Sequence, residues 1–95
     1  MDLIPMERDG LWGYVDDSDT FVIPCKFHFA QFFTEGLGVV AIDGLWGYIN
    51  EAGEYVIPPK FDLASPFENG VAKVLYKLEW RWVDKCGNFI DEPMD

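Results

Sequence analysis

The hexapeptide Asp9-Gly10-Leu11-Trp12-Gly13-Tyr14 returns unchanged as Asp43-Gly44-Leu45-Trp46-Gly47-Tyr48 and, altered, as Lys77-Leu78-Glu79-Trp80-Arg81-Trp82, so the tryptophans stand 34 residues apart with no insertion. The same spacing relates Val22-Ile23-Pro24 to Val56-Ile57-Pro58, Lys26-Phe27 to Lys60-Phe61, Ala30 to Ala64, Phe33 to Phe67, Gly36 to Gly70 and Val40 to Val74. Matches spread over a whole unit at a fixed period mark stacked supersecondary units, each of which buries its apolar face against its neighbour.

Within a unit, residues 11–15 and 45–49 alternate, with Trp and Tyr on one side and Leu, Gly and Val or Ile on the other, which predicts a β-strand. Gly13 and Gly47 leave a gap in one face where a backbone or a ring can approach. A polar hairpin turn follows at 16–19, 50–53 and 84–87; its last position is Asp, Gly and Gly, as a left-handed backbone requires. The second strand, at 20–23, 54–57 and 88–90, is expected to stop at Pro24 and Pro58-Pro59, which cannot donate to a ladder. Longer connections at 26–36 and 60–70 carry Phe27, Phe33, Phe61 and Phe67, expected to fold back over an edge of the core. Residues 37–42 and 71–76 form a third strand. Lys73 in place of Val39 puts its core side at Gly38, Val40 and Ile42 and at Ala72, Val74 and Tyr76. By the same register residues 3–8 are a leading third strand, with Pro5 suited to an edge. At the other end the expected Ile-Pro-Pro-Lys is replaced by Ile90-Asp91-Glu92-Pro93.

The expected fold is therefore all-β: about 2.5 tandem 34-residue repeats of three-stranded antiparallel meanders, eight or nine strands in all, solenoid-like or a partly closed sheet. One domain spans residues 1–95, with a leading cap strand at 1–8, repeats at 9–42 and 43–76, and a partial third repeat with an acidic cap at 77–95. Proline and acids at both outer strands oppose edge-to-edge association, so a monomer is expected.

Charge narrows the partners. At −10 net, the chain is unsuited to a nucleic-acid backbone or an anionic membrane surface. The imbalance is concentrated in residues 1–68, where twelve acids face Arg8, Lys26 and Lys60, while residues 69–95 are near balance. Such a field steers a basic partner, and it also keeps an aromatic-rich domain soluble. Cys25 and Cys86 occupy non-equivalent repeat positions, too far apart in sequence for a zinc motif and too few for a disulfide scaffold; buried or half-buried free thiols are expected. No basic leader followed by an apolar run is present at the N-terminus, and no stretch is long enough to span a membrane, so a cytoplasmic location is expected.

These units resemble the WG-repeat family of bacteria. Copy two carries the pattern at Gly44-Leu45-Trp46-Gly47-Tyr48-Ile49, Gly53, Ile57-Pro58-Pro59-Lys60-Phe61-Asp62 and Phe67-Glu68-Asn69-Gly70-Val71-Ala72-Lys73-Val74. Copy one departs at Cys25 and His28, where the second proline and the aspartate stand in copy two, and copy three departs at Arg81, in place of glycine. The resemblance implies a β-rich interaction module, with no catalytic residue and no ligand attached to the repeat.

The residues themselves agree. Asp16-Asp17-Ser18-Asp19 could gather a hard cation but lacks the alternating acids and distal Glu of a calcium loop, so a solvated turn is preferred. His28 with Cys25 could form a nucleophile pair, yet the repeat equivalents, Asp62 and Pro59, carry no such chemistry. No catalytic residue, cofactor or metal ligand is assigned. Trp12, Tyr14, Trp46 and Tyr48 read as stacked core. Trp80-Arg81-Trp82 reads either as a cap, with Arg81 reaching solvent or a turn acid, or as a binding site, since Trp and Arg dominate interface hot spots. The expected function is a non-enzymatic protein-interaction module, in concrete form a small acidic stoichiometric inhibitor or immunity-type protein for a basic partner such as a toxin or nuclease domain. Its candidate contact residues are Asp16, Asp17, Asp19, Glu51, Glu54, Trp80, Arg81 and Trp82. The alternatives are a carbohydrate or cell-wall binding module using exposed aromatics, and an adaptor or architectural domain.

Overall fold

In a computed structural model that describes residues 3–93, the described residues form eleven strands and no helix: β1 (Ile4–Arg8), β2 (Leu11–Val15), β3 (Phe21–Phe27), β4 (Phe29–Ala30), β5 (Gly38–Ile42), β6 (Leu45–Ile49), β7 (Tyr55–Phe61), β8 (Leu63–Ala64), β9 (Val71–Tyr76), β10 (Glu79–Asp84) and β11 (Phe89–Ile90). Asp9-Gly10 and Asp43-Gly44 adopt the paired left-handed conformation, at φ 55° and 86° and at 52° and 82°, that joins β1 to β2 and β5 to β6 with the twist of the strands. The third copy keeps this turn with Lys77-Leu78, so Leu78 sits at φ 68° where glycine is favoured, and it is 91% exposed.

Three antiparallel sheets result: β1-β2-β3, β4-β5-β6-β7 and β8-β9-β10-β11. None closes into a barrel. The chain changes sheet at His28 and at Asp62, in the middle of what the sequence presents as one long connection. That connection is therefore partly strand: β4 and β8 pair with β5 and β9, which raises the expected eight or nine strands to eleven.

Two cores lie between the three sheets, and they are copies. Leu3, Tyr14, Ile23, Phe27, Val40 and Ile49 make the first, and Leu37, Tyr48, Ile57, Phe61, Val74 and Val83, each 34 residues on, make the second. The middle sheet serves both, so the expectation of a single core side for the third strand holds in β9 but not in β5. Val39 faces the second core and Val40 the first, and both are fully buried. Tyr14 and Tyr48 donate their hydroxyls to the carbonyls of Gln31 and Ser65, both at 2.6 Å, tying each sheet to the loop of the next. Burial pushes both phenols well above their ordinary pKa.

The prolines do not end the second strand. β3 and β7 run through Pro24 and Pro58-Pro59 because the ladder shifts register there: Tyr14 faces Ile23 but Trp12 faces Phe27, and Tyr48 faces Ile57 but Trp46 faces Phe61. The extra residues bulge, and a bulge is where a strand accepts a residue without an N–H. Opposite it stands the glycine of the hexapeptide. A Cβ on Gly13 would lie 2.5 Å from the Ile23 carbonyl oxygen, and one on Gly47 would lie 2.7 Å from that of Ile57. In the third copy β10 and β11 pair in regular register, Trp82 with Ile90 and Val83 with Phe89, and Arg81 occupies the glycine position.

Gly47→Ala is therefore expected to cost about 2 kcal/mol or more, because the three nearest atoms are all backbone of residues 57–59 and no rotamer change relieves the clash. Arg81→Ala, which loses a stacked cation and no backbone clearance, is expected to cost about 1 kcal/mol or less. Urea unfolding of the two variants checks the order; equal losses would refute the role given to the bulge.

Candidate interaction surface

One end of the stack collects turns from all three sheets. Asp16, Asn50 and Asp84 each accept two backbone amides through Oδ1, from Ser18 and Thr20, Ala52 and Glu54, and Cys86 and Asn88, at 2.9–3.0 Å. The residue closing each turn, Asp19, Gly53 or Gly87, is left-handed. The second and third turns each sit on the unit before them: a Cβ on Gly53 would meet Ile23 at 3.4 Å, and one on Gly87 would meet Ile57 at 3.2 Å.

The loops entering β5 and β9 close on the same end through two further left-handed pairs, Glu35-Gly36 and Asn69-Gly70. Glu35 joins them. Its carboxylate accepts the amides of Asn69 at 2.6 Å and Gly70 at 2.9 Å, and it pairs with Lys85 at 3.4 Å. The Gly70 amide above all holds the Glu35 carboxyl below its ordinary pKa, and the Asn88 amide does the same for Asp84.

These turns carry Asp16, Asp17, Asp19, Glu35, Glu51, Glu54, Glu68 and Asp84 against one cation, Lys85, which Glu35 already engages. Of the sequence candidates, Asp17 and Glu51 meet at a groove of about 550 Å³ whose apolar wall includes Leu3, Ile4, Phe32 and Phe33. Asp19 is exposed on its turn. Glu54 is exposed too, but its Oε1 accepts from the Asn50 side-chain amide at 3.1 Å. Asp16 is a turn-holding residue rather than a free contact. Phe32, 63% exposed in this groove, is a candidate that sequence comparison missed. Its one signal is that the repeat partner is Pro66.

The structure splits Trp80-Arg81-Trp82 between two faces. Arg81 is half-buried on the core side of its strand, its guanidinium 4.0 Å over the Phe89 ring, and no ion pair joins it to a turn acid among the described residues. Trp80, 54% exposed, and Trp82 lie on the outer face of the last sheet, with the Lys73 ammonium 5.3 Å over the Trp80 ring. Cys25 is half-buried, and Cys86 is exposed rather than buried; both thiols are free. His28 is a turn residue, its Nδ1 accepting the Asp43 amide at 2.9 Å. Among the described residues no three of His, Cys, Asp and Glu are placed to hold a metal ion, and no helix is long and apolar enough to cross a membrane.

The family described as WG containing repeat matches residues 12–46 and 46–77, more than half of the chain. The chain belongs to the WG-repeat family. Each matched WG repeat begins at a tryptophan that lines a core edge and continues through a glycine that clears a bulge, Trp12-Gly13 and Trp46-Gly47. The family is a non-catalytic repeat family, and membership points to a repeat-based interaction or binding module. No match was found among curated proteins or among solved structures.

The lowered carboxyls give the acidic end a pH signature. A group whose folded pKa is depressed stabilises the fold above its unfolded pKa, about 4, and loses that contribution as pH falls through the folded value. Thermal unfolding followed from pH 7 to pH 3 is expected to show wild type losing stability below about pH 4 more steeply than Glu35→Gln. Parallel curves would mean that the bridge between the two turns contributes nothing.

Proposed function

We propose that this WG-repeat protein binds a basic protein partner through its acidic turn end, and that its concrete role is stoichiometric inhibition of the immunity type, in the bacterial cytoplasm. The observation that carries the reading is the conjunction at one groove of Asp17, Glu51 and the exposed ring of Phe32. Charge kept only for solubility needs no such neighbour, whereas an interface combines an apolar anchor with a charged rim. Stopped-flow association with the captured partner tests it. Asp17→Asn with Asp19→Asn and Glu51→Gln is expected to lower the association rate about tenfold at low salt and to flatten its salt dependence, while Phe32→Ala raises the dissociation rate. Asp16 is left intact because it holds its turn. An association rate unmoved by the triple variant would sink the reading.

A second reading, glycan binding, is favoured by the outer face of the last sheet, where Trp82 shares a groove of about 700 Å³ with Ser65, Glu68, Asn69, Lys73 and Glu92. Aromatic platforms beside mixed polar groups suit a sugar ring. Titration with soluble glycans is then expected to shift tryptophan fluorescence in wild type and less in a Trp80→Ala, Trp82→Ala variant. A flat wild-type titration would dismiss it.

A further inference from the structure

The three sheets are not equal. In the middle and last sheets a two-residue strand lies along the outer edge of the third strand: Phe29 and Ala30 face Ala41 and Val40 of β5, and Leu63 and Ala64 face Leu75 and Val74 of β9. The entering chain holds that edge by donating amides to it. His28 and Gln31 donate to the carbonyls of Ala41 and Val39 at 2.8 and 3.0 Å, and Asp62 and Ser65 donate to those of Leu75 and Lys73 at 2.8 and 3.1 Å. In β1 the equivalent carbonyls, 34 residues earlier, belong to Glu7 and Pro5. Among the described residues no strand pairs with this edge.

We infer that the outer edge of β1 is a strand-addition site for an extended polypeptide segment of a partner, with the chemistry of the two strands the fold already uses there. That chemistry is a large apolar residue followed by alanine, flanked by residues whose backbone N–H groups are free to donate. Phe29-Ala30 and Leu63-Ala64 are the two internal instances. Added main-chain hydrogen bonds supply affinity, and pockets for alternate side chains supply selectivity.

Three features favour this occupant. First, the edge opens on an apolar groove of about 580 Å³ lined by Pro5, Trp12, Phe29, Phe32 and Pro66. In the middle sheet the corresponding flank of Trp46 is lined by Gln31, the residue that follows β4. Second, Thr34 lines the same groove and carries a buried hydroxyl with no hydrogen-bond partner among the described residues. Third, Pro5 discriminates between occupants. It has no N–H but keeps its carbonyl, so it suits a strand that donates, as β4 and β8 do, and it weakens pairing with a second β1, which would need that donor. A second copy of the chain has its own β4 and β8 already paired inside.

The two grooves share the Phe32 ring but not their polar groups, Asp17 and Glu51 at one and the main chain of β1 beside Pro5 at the other, so Asp17→Asn with Glu51→Gln is expected to leave strand addition intact, and N-methylation of the added strand does not touch the acidic end. The test uses a labelled peptide of residues 60–70, Lys-Phe-Asp-Leu-Ala-Ser-Pro-Phe-Glu-Asn-Gly, added to the intact chain, with amide chemical shifts and anisotropy as readouts. Saturable binding is expected, with amide shifts centred on Met6, Glu7, Arg8 and Trp12 and extending to Phe29 and Phe32 across the groove. N-methylation of the peptide at its Asp and Ser amides, the two donors, is expected to weaken it at least about tenfold. Absence of binding, shifts centred on the acidic turns, equal binding of the N-methylated peptide, or self-association of the chain through β1 would each overturn the proposal.

Discussion

Where β3 and β7 bulge past β2 and β6 there is no room for a Cβ on the facing strand, and much of the unit follows from that exclusion. The bulge lets Pro24 and Pro58-Pro59 lie within a strand, because their missing amides fall on residues outside the regular ladder. It also turns the strand end so that Phe27 and Phe61 come opposite Trp12 and Trp46 and enter the cores. Beyond them the chain is released into the next sheet, where the tyrosine of the previous one catches the carbonyl of Gln31 or Ser65. Glycine, prolines and tyrosine thus serve one operation, the passage from sheet to sheet.

The third copy shows the same logic by its absence. Arg81 in place of glycine and Asp91-Glu92-Pro93 in place of the Ile-Pro-Pro segment look like two independent departures in sequence. They are one change. Without the bulge no backbone approaches position 81, β10 and β11 pair regularly, and a long side chain fits there, stacked on Phe89. Among the described residues no sheet packs on the outer face of the last one; there Lys73 stands where Val39 is buried in the middle sheet, and its ammonium lies over the Trp80 ring.

Sequence comparison reached the repeat, the strands, the turns and the closeness of backbone to Gly13 and Gly47, because these are local or periodic. It missed what depends on how two segments meet. Reading proline as a strand terminus is sound for a regular ladder and fails at a bulge, which involves both strands. Reading one core side for residues 37–42 ignored that the middle sheet has neighbours on both faces, which Val39 and Val40 divide between them. Asp16 and Asp17 are adjacent and chemically alike, yet one holds the turn and the other lines a groove. Only the backbone amides around Asp16 distinguish them. The conjunction of Asp17, Glu51 and Phe32 was invisible for the same reason: it joins three segments that no spacing rule connects.

That conjunction also bears on how the acidic end would act. Stacked sheets lie about 10 Å apart, close to the screening length of about 8 Å at physiological salt. Acids on successive turns therefore reinforce one another at low ionic strength and decouple as salt rises, while each stays hydrated at the tip of a turn. Charges so placed accelerate encounter and orient a partner but contribute little to holding it, since exposed ion pairs are worth about 1 kcal/mol or less. Retention has to come from surface that leaves water. At this end that surface is the apolar wall of the groove, with Phe32 its most exposed ring, on a loop anchored at one side by Tyr14 through Gln31 and at the other by the hydrogen bonds between Thr34 and Leu37. The ring is therefore presented from a frame that the core itself fixes, which lowers the ordering cost of binding.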